Sequence, residues 1–234
     1  MADAPTTKWH EFGDGESLAT DLAQTVASKL RAGIDARGAA VMAVSGGSTP
    51  ARFFAALSKE HLDWTKVVVT LVDERLVPPS SERSNEKLVR DALLRNEARL
   101  ARFIGLYSEA GSVDAAMQAD AGLSLMGPVF DVIILGMGAD GHTASFFPDA
   151  PNLDDLTNPA QARRVMAVDA PSGGEPRLTL TMPLIVDARF VALHIEGEAK
   201  RKVFESALAD QSNRLPIARV FDAAASPIAI YWAP

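Results

Sequence analysis

Along the 234-residue chain, short apolar runs alternate with longer amphipathic stretches. From Ser17 to Arg37 the apolar residues Leu18, Leu22, Val26, Leu30 and Ile34 recur at every fourth position, which predicts a helix ending at Gly38. Ala39–Val44 then forms a continuous apolar run of the length expected for a buried parallel strand. The SGGSTP segment, Ser45 to Pro50, interrupts it, and ARFFAALSKEHL resumes helical spacing with proline at its start.

The same order repeats. Val67–Val72 is a β-branched strand that runs into Asp73, Glu74 and Arg75, and a polar loop leads to a helix from about Asn85 to Arg95. Leu100–Leu106 is a weaker strand, Val113–Met126 a helix, Val129–Leu135 a strand and Val165–Val168 a short strand. Leu178–Leu180 opens a segment that Pro183 interrupts. Phe190–Ile195 reads as strand, Glu198–Ala209 as helix and Ile228–Trp232 as a closing strand. Strands alternating with helices of a dozen residues predict an α/β fold, a doubly wound and mainly parallel sheet sandwiched by helices. No linker divides the chain, so residues 1–234 are expected to form one domain. The Phe147–Arg163 loop is long, and reads either as a flap over a site or as a surface connection.

Composition narrows the chemistry. The apolar fraction of 47% and charged fraction of 23% are those of an ordinary globular protein, and disorder is expected at most in the first few residues. A formal net charge of -7 argues against a general nucleic-acid or anionic-membrane surface, so an anionic ligand must meet a local cluster of positive charge. There is no cysteine, which excludes disulfides, thiolate metal sites and thiol nucleophiles. The N-terminal segment lacks the apolar core of a signal peptide, and no run of about 18 apolar residues exists to span a bilayer. The expected location is cytoplasmic, and the expected assembly a monomer or weak homo-oligomer.

Three polar clusters each follow a strand directly: Ser45–Thr49, Asp73–Arg75 and Asp140–Thr143. In a parallel sheet they converge along one edge. The SGGSTP loop places small residues before a helix start, where free N–H groups favour an anion such as phosphate, although a tight turn with an N-cap accounts for it as well. It lacks the lysine of a nucleotide-binding P-loop. Asp73, Glu74 and Arg75 offer groups to position a hydroxyl, move a proton or meet developing negative charge, or else a surface ion pair at a strand end. His142 is the best general acid/base candidate, with Asp140 as the neighbouring carboxylate that would fix its tautomer. His10 and His61 lie in polar surroundings, and His194 within a strand.

Gly136, Gly138 and Gly141 also spell G-x-G-x-x-G after a strand. No helix opens at the third glycine and no acidic residue ends a following strand, so the dinucleotide reading fails. No ligand spacing for a metal is present, and no metal or organic cofactor is expected.

At AVSGGSTP, LVDER, the Ser84-Asn85 pair, ILGMGADGHTASFFP, RLTLTMPLI and the helix after IEGEAK, the chain resembles the 6-phosphogluconolactonases, the type related to glucosamine-6-phosphate deaminases. The resemblance implies hydrolysis of 6-phosphoglucono-δ-lactone to 6-phosphogluconate. It implies that His142 activates water, Asp140 orients it, Arg75 meets the oxyanion or substrate oxygens, and Asp73 contacts sugar hydroxyls. Gly46, Gly47, Ser48 and Thr49 would face the phosphate, Arg177 and Lys200 would pair with it, and Asn85 belongs to the substrate-binding set. A covalent acyl-enzyme on Ser45, Ser48 or Ser145 has no G-x-S-x-G context. The competing reading is the aldose-ketose isomerase/deaminase branch, which resembles a pattern with glutamate just before the proline where this chain has Phe147 before Pro148. A non-catalytic sugar-phosphate sensor ranks third, since the helices are spent covering the sheet.

Overall fold

A computed structural model describes residues 7–125, 127, 129–210, 212 and 214–234. The chain opens with strand β1 (Lys8–Glu11), which the apolar pattern does not announce. Helix α1 (Gly15–Arg37) is capped by Asp14, whose side chain accepts from the Ser17 N–H, and stops at Gly38. Its residues Leu18, Leu22, Val26 and Leu30 are fully buried, as the four-residue spacing requires.

Strand β2 (Ala40–Val44) is buried along its whole length. Helix α2 (Ala51–Leu57) ends five residues before the expected Leu62. The Ser58 carbonyl is taken by the N–H groups of Glu97 and Ala98, which removes the acceptor for another turn. Strand β3 (Val67–Leu71) leads into β4 (Asp73–Arg75). Helix α3 (Asn85–Ala92) stops short of Arg95, and the chain reverses at Asn96, which holds a positive φ of 46°. Of the expected Leu100–Leu106 strand only β5 (Arg102–Phe103) pairs.

Helix α4 (Ser112–Ser124) is followed by β6 (Val132–Leu135). Met126, the expected helix end, lies outside the described residues. The 147–163 segment carries the short helix α5 (Leu153–Leu156), seated by buried Leu153 and Leu156. Next come β7 (Val165–Val168), β8 (Arg177–Leu180), α6 (Met182–Val186) with Pro183 in its first turn, and β9 (Val191–Glu196). Helix α7 (Glu198–Ala209), helix α8 (Pro216–Ala223) and β10 (Ala229–Ala233) complete the chain.

Seven strands form one parallel sheet in the order β1-β10-β9-β6-β2-β3-β5. The side chains of β2, β6 and β10 are buried throughout, so helices cover both faces and the expected α/β fold is present. β7 and β8 do not join this sheet, contrary to a reading of all strands as one parallel array. With β4 they form a separate antiparallel sheet in the order β4-β8-β7. Strand order reverses between β2 and β6: after β2 the chain fills one side with β3 and β5, then crosses to β6 and β9. Such a switch point opens a crevice at the carboxyl ends of the strands. Among the described residues no helix is long and apolar enough to cross a membrane.

Candidate active site

The loops that leave β2 and β6 flank this crevice, and the small sheet closes its side. A cavity of about 180 Å³ lies there. From the β2 loop, Gly46, Gly47, Ser48 and Thr49 line it. Among the described residues, none of their four backbone N–H groups donates within the protein, which leaves a run of donors open to an anion.

The loop after β6 presents His142. Gly141 holds a φ of 76°, and its N–H closes a turn onto the Gly138 carbonyl at 3.1 Å. A β-carbon at Gly138 would run into the imidazole of His142, so the glycine permits the ring to fold back over the loop. Asp140 Oδ1 then lies 2.6 Å from His142 Nδ1 and also accepts the His142 backbone N–H at 3.2 Å. A carboxylate on Nδ1 holds the proton there and leaves Nε2 as the basic nitrogen of the neutral ring. Asp140 touches the histidine from outside the cavity lining, whereas His142 faces in.

β4 delivers Asp73 and Arg75 into the cavity, and β8 delivers Arg177. Arg177 Nη1 lies 3.7 Å from Asp73 Oδ2, and the same oxygen accepts from Ser145 Oγ at 2.7 Å. Arg177 also donates to the Gly173 carbonyl at 2.9 Å and its guanidinium lies 5.1 Å from the centre of the Phe147 ring. Burial lowers its pKa and Asp73 opposes that shift, while a guanidinium remains charged at any working pH. Among the described residues, the Nε atoms of Arg75 and Arg177 are buried without a hydrogen-bond partner.

Between these residues stands Glu74, wholly buried. Its carboxylate accepts from the backbone N–H groups of Arg75, Asn85 and Glu86 and from Ser84 Oγ, at 2.7 to 2.9 Å. Desolvation raises its pKa against the pull of those bonds. Glu74 fixes the start of α3, and with it Asn85, whose Nδ2 donates to the Asp73 carbonyl at 2.8 Å. Lys200, half-buried on α7, reaches in from the far side with Nζ 3.4 Å from Thr49 Oγ1, and burial lowers its pKa.

All eleven residues singled out from sequence thus meet around one cavity, ten in its wall and Asp140 behind His142. Arg75, Arg177 and Lys200 make it locally positive in a protein of net charge -7. Glu74, Ser145, Phe147 and His194, none of them among the expected site residues, also take part. His194, set aside above as a strand residue, is 2% exposed and lines the cavity floor. Phe147 packs against the His142 ring with centroids 4.5 Å apart. Among the described residues no three histidine or carboxylate side chains converge to hold a metal ion. The arrangement offers a base oriented by a carboxylate, two guanidiniums and a separate anion cradle.

Comparison with known proteins agrees in scale and fold. The family described as glucosamine-6-phosphate isomerases/6-phosphogluconolactonase matches residues 13–232. A 6-phosphogluconolactonase of Mesorhizobium japonicum is 55% identical, covering 97% of this chain and 95% of its own length. One from Rhizobium meliloti is 48% identical, covering 96% and 98%. The crystal structure of a 6-phosphogluconolactonase from Shewanella baltica superposes with a TM-score of 0.94 at 36% identity, covering 99% of both chains.

Proposed function

The chain belongs to the glucosamine-6-phosphate isomerase/6-phosphogluconolactonase family, and on that premise we infer that it hydrolyses 6-phosphoglucono-δ-lactone to 6-phosphogluconate, a step of the oxidative pentose phosphate pathway, with water activated by His142. The observation that carries this reading is the 2.6 Å contact of Asp140 with His142 Nδ1, in a cavity whose wall also holds the guanidiniums of Arg75 and Arg177.

Lactone hydrolysis requires a base for water, donors for the developing oxyanion, and an anchor that holds the carbonyl beside both. His142 Nε2 takes a proton from water as the water oxygen bonds to the lactone carbonyl carbon. The carbonyl electron pair moves onto oxygen, where Arg75 or Arg177 meets the charge with a charge-assisted hydrogen bond. As the tetrahedral intermediate collapses, the bond to the ring oxygen breaks and His142 returns its proton to that oxygen as a hydroxyl. Asp140 stabilises the transient imidazolium and keeps Nδ1 protonated throughout. Asp73 and Asn85 bind sugar hydroxyls, while the N–H groups of Gly46–Thr49 and the Lys200 ammonium hold the phosphate.

The isomerase/deaminase reading needs a further proton-transfer carboxylate. Phe147 occupies the position just before Pro148, 2% exposed and packed on His142. An apolar ring there transfers no proton, which favours hydrolysis. A coupled assay run side by side on the lactone and on glucosamine 6-phosphate, corrected for spontaneous lactone opening, tests the assignment. Turnover of the lactone alone is expected. Ammonia release from the amino sugar without lactone hydrolysis would overturn it.

A further inference from the structure

Three elements meet beside Lys200. Glu196, at the end of β9, binds Arg52 of α2 through Oε2 at 3.0 Å, and its Oε1 lies 3.3 Å from Nε2 of buried His194. Gly15 at the start of α1 leaves room for this pair, since a β-carbon there would run into the Arg52 guanidinium. Arg52 follows Thr49 by three residues, and Lys200 follows Glu196 by four. One carboxylate therefore ties the exit of the β2 loop to the start of the helix that carries Lys200.

We propose that Glu196 is a positioning residue for the phosphate end of the cleft: clamped by Arg52 and His194, it fixes the start of α7 and so sets Lys200 beside Thr49, and affinity for a phosphorylated sugar depends on a carboxylate that never touches it. The inference rests on the reading of Lys200 as a phosphate-binding residue. An unpaired carboxylate here would repel the phosphate dianion. Pairing with Arg52 offsets that charge, while the remaining field of Glu196 favours the ammonium form of Lys200.

The titratable and charged groups at this end are Glu196 and His194 from β9, Arg52 from α2 and Asp14 from the α1 cap. Asp73, Arg75, His142 and Arg177 share the cavity wall further along. Loss of hydration favours the neutral amine of Lys200, and of all these groups Glu196 is the one that opposes it. Removing the Glu196 charge therefore lets Lys200 lose its proton at a lower pH.

The test is calorimetric binding of 6-phosphogluconate between about pH 7 and 10 to the wild type, Lys200→Gln, Glu196→Gln, the double variant and Glu196→Asp. Binding, rather than turnover, avoids the spontaneous opening of the lactone in alkali. Glu196→Gln is expected to weaken binding by about tenfold, the loss of roughly one charge-assisted contact, and to move the alkaline decline in affinity to lower pH. In the Lys200→Gln background the same substitution should add little. Glu196→Asp, which keeps the charge, should retain the wild-type decline.

Wild-type affinity and pH dependence in Glu196→Gln, beside weakened Lys200→Gln, would overturn the inference alone. So would an equal effect of Glu196→Gln with and without Lys200, or a decline in Glu196→Asp shifted as far as in Glu196→Gln. Unchanged binding in Lys200→Gln would instead remove Lys200 from the phosphate site, and the inference with it.

Discussion

Gly46 lies against the side-chain amide of Asn85, so closely that a β-carbon on Gly46 would collide with Oδ1 and Cγ of Asn85. Space, not backbone strain, forbids a side chain here, because φ at Gly46 is not among the positive values. Gly46→Ala must push Asn85 off its bond to the Asp73 carbonyl. A misplacement on the order of 1 Å near the reacting groups is expected to lower kcat/KM by about 100-fold, and overpacking to cost about 1–3 kcal/mol of stability. Adding Asn85→Ala should restore stability, measured by urea unfolding, without restoring affinity for 6-phosphogluconate. A Gly46→Ala variant with full activity would contradict the close packing.

Under the proposed mechanism, in which His142 acts on water and not on the phosphate, His142→Ala should lower kcat by about 100-fold or more, with binding of 6-phosphogluconate little changed. Asp140→Asn keeps the shape beside Nδ1 but removes the charge that, in the same mechanism, stabilises the imidazolium. Its loss in kcat should be smaller than that of His142→Ala. Steady-state kinetics on the lactone, with background hydrolysis subtracted, check both. Full rate in either variant would remove that residue from the proton-transfer step.

The apolar runs of β2, β3, β6, β9 and β10 declare themselves because strands buried on both faces admit few polar residues. The three polar clusters at their ends were legible for the same reason, as abrupt breaks in those runs. Asp73–Arg75 is a different case: three charged residues read as a strand terminus, yet they pair with Arg177, Leu178 and Thr179 across about a hundred residues of chain. Nothing local encodes that pairing. Helix α8 did carry a signal, Pro216 at its first position followed by apolar Ile217, Val220 and Phe221. The parts that Glu74 and Ser145 play were hidden because most of their partners lie on other elements, and only tertiary structure shows that His194 on β9 turns to the cleft.

Among the described residues, Ser145 is the one side-chain hydroxyl on Asp73, a carboxylate only 6% exposed. Ser145→Ala leaves Asp73 Oδ2 with the longer Arg177 contact at 3.7 Å as its remaining side-chain partner among the described residues. Leaving a buried acceptor short of a donor costs about 1–3 kcal/mol. Denaturant unfolding should show that loss, and kcat/KM should fall with it because Asp73 and Arg177 are freed to move together. An unchanged unfolding midpoint would mean that Asp73 does not rely on Ser145.

His194 should make the protein less stable as pH falls toward 4. Burial pushes its pKa down from 6.5 to about 4, while Glu196 acts in the opposite direction and only partly offsets the loss of hydration. Above pH 6.5 the ring is neutral in folded and unfolded chains alike, so the contribution is fully present. As pH drops below 6.5 the unfolded chain takes up a proton that the folded chain refuses until near pH 4. Protons then favour unfolding across that window, by on the order of 3 kcal/mol at its lower end. Urea unfolding at stepped pH from 7 to 4 should show a shallower loss for His194→Gln than for the wild type. Other carboxylates contribute to both curves, so the difference between them isolates the histidine. Parallel curves would mean that the folded protein admits the proton at His194 as readily as the unfolded chain does.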